Sequence, residues 1–445
     1  MKKSKIITIA IAGLFVLSII LMAILSPNDV YVHENAGPNE PHDTSINKKI
    51  NVDLYIECSG SMHGYMNNHN SKFKDAINGC LSLFNATNEV DNFRLYYIGR
   101  QVHAFDTCFK LNKTDDLLQK YLNPSYFGYD SKDGVHKSKK KNPVSGVSNE
   151  DHAYSKLSEM LDTIIGRTKN GVSVFVSDCI LDPYDGQPEN YLTICETDIF
   201  NLFHNKLNDN PQLAVQIIQL DSKFTGNYYI KVNNDKKETI ELIKYLSDVN
   251  RPYYVWIIGN TEYIAKFNDK IDVFKDYNQG DDKVINNIIF TPKQTVSFEI
   301  ENKLLKVRND IASFEVIADF SKLLGDKDSL NCEINSGGDF EVKSQTYNNK
   351  TKEKTFKIEL KKVRPNLEAT IVCRQKKELP MWVGEKNGDF TQGDEKIEKT
   401  IGIKQILNGI SRAYETKFDN VLLEMNIKTS SDRDIKRTQK SKRPR

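Results

Sequence analysis

The chain has no Cys-x-x-Cys pair among its seven cysteines, so the paired-thiolate spacing of a structural zinc site is missing. It also has no Gly-x-Ser-x-Gly elbow, no His-Glu-x-x-His and no phosphate-cradling glycine loop. Those absences remove the usual signatures of serine hydrolases, zinc proteases and nucleotide-binding enzymes. Charge of either sign is scarce in excess. Sixty-two Lys and Arg against 60 Asp and Glu leave a formal net charge of +2, which gives no global reason to bind nucleic acid. What is present is bulk: 445 residues, 39% of them hydrophobic, suffice for two cores.

The ends of the chain carry their own signals. Met1-Lys2-Lys3-Ser4-Lys5 precedes an uncharged apolar run from Ile6 to Leu25, and a helix of that length spans about 30 Å, the thickness of a hydrocarbon core. Lysines lie before the run, while Asp29, Glu34, Glu40 and Asp43 come after it. The positive-inside rule then keeps the N-terminus in the cytoplasm and sends the bulk of the chain across. The expected location is therefore the cell membrane, single-pass, through an uncleaved signal anchor over residues 1–26. A cleaved signal peptide is the alternative. No Cys follows the run, which excludes a lipoprotein anchor. Residues 27–49 read as a flexible tether, and the polar, basic tail 432–445 as disordered.

The most informative stretch is Leu54-Tyr55-Ile56-Glu57-Cys58-Ser59-Gly60-Ser61-Met62. An apolar run ends in an acid, and two serines follow on a turn loosened by Gly60. Buried strands of parallel sheets read as short apolar runs, and open α/β sheets bind ligands beyond the carboxyl ends of their strands. Downstream, Gly146-Val147-Ser148-Asn149 comes just before a helical pattern through Ala153, Leu157, Met160, Leu161, Ile164 and Ile165. A second buried strand from Gly171 ends in Ser177-Asp178. Hydroxyls and carboxylates make a hard oxygen set that suits Mg²⁺ or another divalent cation.

This order of motifs resembles the von Willebrand factor A (vWA) domain, whose metal-ion-dependent adhesion site begins Asp-x-Ser-x-Ser-Met. Gly-Gly-Thr-Asn and Ser-Asp-Gly segments follow in that family. The resemblance covers about Asn51 to Asp276. It implies that Ser59, Ser61 and Ser148 bind the metal directly and that Glu57 and Asp178 hold bound waters. It also implies one coordination position left for a carboxylate of a protein partner. Two positions depart from the pattern: Glu57 replaces Asp, and Cys179 stands where Gly is usual. The extra methylene of Glu57 moves its carboxylate by about a C–C bond length, and Mg²⁺ tolerates poor geometry badly. Glu57 then acts through a water, binds a softer ion such as Ca²⁺ or Mn²⁺, or marks a site without metal.

Strands and helices alternate around these motifs. Phe73 to Phe84 has helical spacing, Phe93–Ile98 reads as a strand, and about Asn123 to Ser145 as a long loop. Then come a helix over Ile199–Leu207, a strand over Leu213–Leu220, a helix over Thr239–Leu246, a strand over Tyr253–Gly259 and a helix from Glu262 to Phe274. The alternation predicts an α/β fold, a doubly wound mostly parallel sheet of the vWA/Rossmann-like kind, over residues 50–278. From 279 to 431 short strands without helical periods between them predict a small all-β, sandwich-like domain. One helix through Ile403, Ile406, Leu407, Ile410 and Ala413 and a closing strand over Val421–Ile427 complete it. Cys332 and Cys373 fall on predicted strands and are either a disulfide or two small core residues.

Lesser features read first as surface. Lys132, Lys137, Lys139, Lys140 and Lys141 with His136 form a basic cluster in the long loop, with a solvated loop as the plain reading. His63 reads as an ordinary loop histidine, and Asp182 and Asp185 as turn residues. The expected function is a membrane-anchored binding protein that engages a protein ligand, through an acidic side chain, at a divalent-cation site. The alternative is a structural subunit of an envelope assembly with a vestigial site. A metal-dependent hydrolase ranks third, because the cluster lacks an obvious general base and because the vWA resemblance implies that Cys58, at an x position of the motif, points into the fold. No catalytic residue is assigned.

Overall fold

The computed structural model describes residues 30–34, 49–67, 71–104, 122–123, 156–181, 188–233, 239–270, 286–307, 310–325, 327, 330–389 and 397–431. The chain opens with β1 (Val30–Glu34) and β2 (Ile50–Glu57), then a 3₁₀ turn (Gly60–Met62), α1 (His63–Met66), α2 (Lys72–Ala86), β3 (Val90–Ile98) and β4 (Val102–Ala104). It continues with α3 (Leu157–Arg167), β5 (Gly171–Ser177), α4 (Pro188–Asp209), β6 (Leu213–Asn233), β7 (Thr239–Asn260), α5 (Thr261–Lys270) and β8 (Asn286–Phe290). Then come β9 (Phe298–Glu301), β10 (Ala312–Asp319), β11 (Asn331–Asn335), β12 (Phe340–Asn348), β13 (Glu353–Leu360) and β14 (Glu368–Arg374). The last described elements are α6 (Met381–Lys386), β15 (Asn387–Gly388), β16 (Thr400–Ile401), α7 (Ile403–Phe418) and β17 (Val421–Ser431).

Two apolar layers sandwich the large sheet. In β2, Ile50, Val52, Leu54 and Ile56 alternate onto one face, where they meet Phe73, Ile77 and Leu81 of α2 and Ile264 and Phe267 of α5. Tyr55, Phe175 and Trp256 face the other way, against Leu161 and Ile164 of α3, Phe203 of α4 and Ile406, Leu407 and Ile410 of α7. Ser71 caps α2, its Oγ accepting from the Lys74 N–H at 3.2 Å, as helix starts require. All of β5 is buried, which accounts for its mostly apolar sequence, interrupted by Ser173 alone before Ser177 ends it.

The sheet is mixed, in the order β4-β3-β2-β5-β7-β6-β8. Only β2–β3 and β2–β5 run parallel. The pairs β3–β4, β5–β7, β6–β7 and β6–β8 are antiparallel, and strand (46%) outweighs helix (29%) among the described residues. The expected doubly wound, mostly parallel vWA/Rossmann-like sheet is therefore corrected. The cause is local. Thr239–Leu246, read as a crossover helix, is the start of β7, and its Ile240, Leu242 and Leu246 fit a period of two as well as a helical one. Without a crossover helix, β6 and β7 join as a hairpin, and hairpin strands are antiparallel.

The later half also departs from a simple tandem. Strands β1-β17-β14-β11 and β12-β13-β10-β9 form two sheets, each antiparallel throughout, around a core that includes Phe314, Val316, Phe356, Ile371 and Met425. β8, read as a sandwich strand, is instead an outer strand of the large sheet. α7 packs back on that sheet, and its Tyr414 Oη donates to the Leu213 carbonyl at 2.9 Å. β1, from the stretch read as a tether, pairs with β17 from Val30↔Ser431 to Glu34↔Ile427. The first and last described strands thus close the sandwich, and the large sheet is inserted between them. The anchor expected over residues 6–25 lies outside the described residues, as do the basic loop cluster and the tail. No described helix is long and apolar enough to cross a membrane, so the single-pass, transmembrane-helix assignment is withdrawn.

Cys332 and Cys373 are register partners on β11 and β14 and form a disulfide. They are 41 residues apart, a separation for which chain-entropy arguments give about 4 kcal/mol. A Cys332→Ala/Cys373→Ala variant is expected to lose about 2–4 kcal/mol of unfolding free energy in urea. An unchanged unfolding midpoint would show that the sandwich core suffices alone.

Candidate functional site

β2 and β5 lie side by side and parallel, in register from Asn51↔Gly171 to Ile56↔Val176. Both therefore leave the sheet at one edge. Glu57 is the last residue of β2 and Asp178 the first beyond β5, and they are 2% and 1% exposed. Past Glu57, the Cys58 N–H is tied to the Ile98 carbonyl at 2.9 Å. Ser59, in extended backbone (φ −62°, ψ 157°), then begins the 3₁₀ turn. That turn brings the Ser59 and Ser61 hydroxyls within 3.0 Å of each other. The sequence motif is thus a geometric cluster.

Each acid has its own neighbours. Ser177 Oγ donates to the Glu57 carboxylate and accepts the Cys179 N–H at 2.8 Å. Asp178 Oδ1 accepts the Ile180 N–H at 3.3 Å. The Ser61 hydroxyl eases the charge on Asp178, yet no donor reaches Asp178 Oδ2 in hydrogen-bonding geometry, although that oxygen is buried. Buried polar atoms are almost always satisfied, so Oδ2 is the anomaly of the cluster.

Burial, and then the charge of Asp178, push the Glu57 carboxyl up to about 8. Burial also raises Asp178, against the pull of the Arg251 guanidinium. Two interacting acids titrate as a pair. Because Glu57 holds its proton more tightly in the folded chain, protonation stabilises the fold. That contribution is whole below the ordinary carboxyl range and is lost as pH rises through about 8. Urea midpoints without added cation are expected to fall between about pH 5 and about pH 8 and to flatten in Glu57→Gln. A flat parent profile would mean that Glu57 is ionised throughout.

Beyond the same edge, β6 and β7 continue as a hairpin arm, paired out to Asn233↔Thr239. Three hydrogen bonds hold its base to the segment that follows the serines. Tyr65 Oη donates to the Pro252 carbonyl at 2.6 Å, Asn67 Nδ2 to the Thr225 carbonyl at 2.6 Å, and the Phe73 N–H to Ser222 Oγ at 3.1 Å. Gly64 lets α1 sit flat on the arm, since a Cβ there would fall 2.2 Å from the Phe224 ring. Arg251 lies in this base, fully buried, with its guanidinium 3.9 Å from the Tyr228 ring centre and 5.2 Å from that of Phe224.

The structure brings Glu57, Ser59, Ser61 and Asp178 together; Ser148 lies outside the described residues. Ser177 and Arg251 join the group unforeseen. Ser177 has a visible signal, its place one residue before Asp178 at the end of a buried strand. Arg251 has none, because only the long β6–β7 register delivers it. Among the described residues no three or more His, Cys, Asp or Glu side chains gather as a metal site, so a cation here would rest on two carboxylates and the hydroxyls. Such an all-oxygen set fits Mg²⁺, Mn²⁺ or Ca²⁺, and Asp178 Oδ2 is an orphaned acceptor for it. Cys179 is no competing ligand: its sulfur accepts from Trp256 Nε1 at 3.3 Å, and burial pushes its thiol up. No protein-family model, no curated protein and no solved structure matches this chain.

Proposed function

We propose that this chain is a divalent-cation-dependent binding protein. Its oxygen cluster takes Mg²⁺ or a similar ion and offers an open coordination position to an acidic group of a protein partner. The observation that carries the reading is the buried Asp178 Oδ2, left without a donor beside Glu57, Ser59 and Ser61. Two buried carboxyl groups that share a single nearby guanidinium gain from a cation, which relieves both their burial and their mutual repulsion. Ser59 and Ser61 are neutral donors, so the ion keeps charge with which to attract a carboxylate. Glu57 and Asp178 orient the ion and its waters. From the vWA resemblance the reading takes only this site chemistry.

One observation favours a second reading, in which partners bind without metal: Arg251 already supplies positive charge to Asp178. Thermal melting separates the two. A ligand that binds only the native state stabilises it by mass action, so millimolar Mg²⁺, Mn²⁺ or Ca²⁺ is expected to raise Tm by several degrees, reversibly with EDTA. Binding of a Glu-bearing peptide is expected to be lost with the ion. A Tm indifferent to all three ions removes the proposed function.

A further inference from the structure

We propose that Arg251 is the anion-recognising residue of this site, gripping the partner's carboxylate beside the cation. The inference rests on the cation-site reading and adds the ligand's second anchor. Arg251 is 0% exposed, and none of its three guanidinium nitrogens has an acceptor in hydrogen-bonding geometry. A guanidinium carries five N–H donors and does not deprotonate in proteins. Buried charges are ordinarily paired and hydrogen-bonded. Here the Tyr228 and Phe224 rings face the cation, but a ring accepts no directed hydrogen bond comparable to a carboxylate's. Tyr65 Oη donates its proton to the Pro252 carbonyl at 2.6 Å and turns its lone pairs toward the guanidinium, whose charge it favours, but one neutral oxygen cannot satisfy five N–H donors.

The placement argues for a ligand rather than for an internal counter-ion alone. Asp178 is the acid whose charge Arg251 eases, but the two make no hydrogen bond: Asp178 Oδ2 and all the guanidinium nitrogens are buried and unpartnered together. Arg251 offsets one of the two carboxylate charges, so a bound divalent ion leaves the site positive even with both Glu57 and Asp178 ionised. A carboxylate answers both needs. One oxygen fills the ion's open position, and the fork of Arg251 takes the group by parallel N–H donors, the geometry in which Arg and carboxylate match. The aromatic walls and the Tyr65 and Asn67 bonds to the arm hold the guanidinium in place.

The test uses the full chain labelled with ¹⁵N-arginine, in Mg²⁺ and in EDTA, titrated with sodium acetate. The Arg251 Nε–Hε resonance is identified by its loss in Arg251→Lys. Saturable movement of that resonance is expected in Mg²⁺, with acetate affinity about tenfold or more weaker in Arg251→Lys. Calorimetry with Mg²⁺ alone measures ion uptake by each protein, and acetate affinities are compared at saturating Mg²⁺ so that any change in ion affinity is kept apart from the loss of the carboxylate grip. A capped Glu-containing peptide that displaces acetate, where its Gln counterpart does not, assigns the carboxylate to a protein side chain; failure of both leaves a small free acid as the ligand. Unchanged acetate affinity in Arg251→Lys, or an unmoved parent resonance, overturns the proposal, and the parent resonance decides alone if the variant does not fold. Absent Mg²⁺ uptake removes the cation site instead. Arg251 is then judged in EDTA, where a saturable shift sustains its role and an unmoved one ends it.

Discussion

Asp178→Asn is expected to weaken binding of Mg²⁺, Mn²⁺ or Ca²⁺ by at least about 100-fold, at or beyond the range seen for lost supporting groups at metal sites. The amide keeps the size and shape of the side chain but removes its charge. It also replaces one oxygen with an NH₂ group, which offers donors where an ion needs lone pairs. Asp178 is chosen over Glu57 because its Oδ2 has no protein donor, whereas the Glu57 carboxylate already accepts from Ser177. The same change strips Arg251 of the acid whose charge it eases. A buried charge left without its partner costs about 3–5 kcal/mol, so the melting temperature is expected to fall as well. Calorimetric affinity and thermal melting on one preparation separate the effects. A variant that melts early yet binds the ion normally would place the ion elsewhere.

Gly171→Ala is expected to be the most damaging of the small changes, at about 3 kcal/mol or more in urea unfolding. A Cβ at Gly171 would stand 2.0 Å from the carbonyl oxygen of Asn51 and 2.8 Å from its backbone carbon and nitrogen. Those atoms belong to β2 itself, so no rotamer change relieves the clash. The contact lies at the start of the β2–β5 pairing, and the strands must part there or slip. Six residues on from Asn51 and seven from Gly171, the same pairing delivers Glu57 and Asp178 to one edge, so cation affinity is expected to fall with stability. Gly384→Ala is the control, because a Cβ there meets nothing within 4 Å and the change is expected to stay within about 0.5 kcal/mol. Equal stability of the two variants would show that β2 and β5 are not so closely pressed.

The contrast between these sites and the rest of the fold shows what local pattern carries. β2 and β5 were legible because strands buried on both faces are mostly apolar, and an acid or serine at the end of such a run stands out. Glu57, Ser59 and Ser61 stood out in that way, while the vWA resemblance added Ser148 and Asp178 and implied the role of each. The direction of β7 was not legible, since direction is set by the connection. Residues 239–246 support a helix or a strand equally well by period, and the pairing with β6 decides. β1 was hidden for a similar reason: Val30–Glu34 is short, and it becomes a strand only because β17, some 400 residues away, offers an edge. Arg251 illustrates the limit. Nothing near it in sequence marks it, and its burial beside Tyr65, Phe224 and Tyr228 arises from three separate segments meeting at the base of the arm.

The most direct measurement is a calorimetric titration of Mg²⁺, Mn²⁺ and Ca²⁺ into the full chain and into its Ser59→Ala/Ser61→Ala variant. Those hydroxyls sit 3.0 Å apart at the carboxyl edge of the sheet, and alanine removes their oxygens while sparing both carboxylates. Saturable heat in the parent and none in the variant is the predicted result, and it would make the cluster a working cation site. Absence of heat in both at millimolar ion, or equal heat in both, contradicts the account: in the first case the chain binds no cation, and in the second it binds one away from these serines.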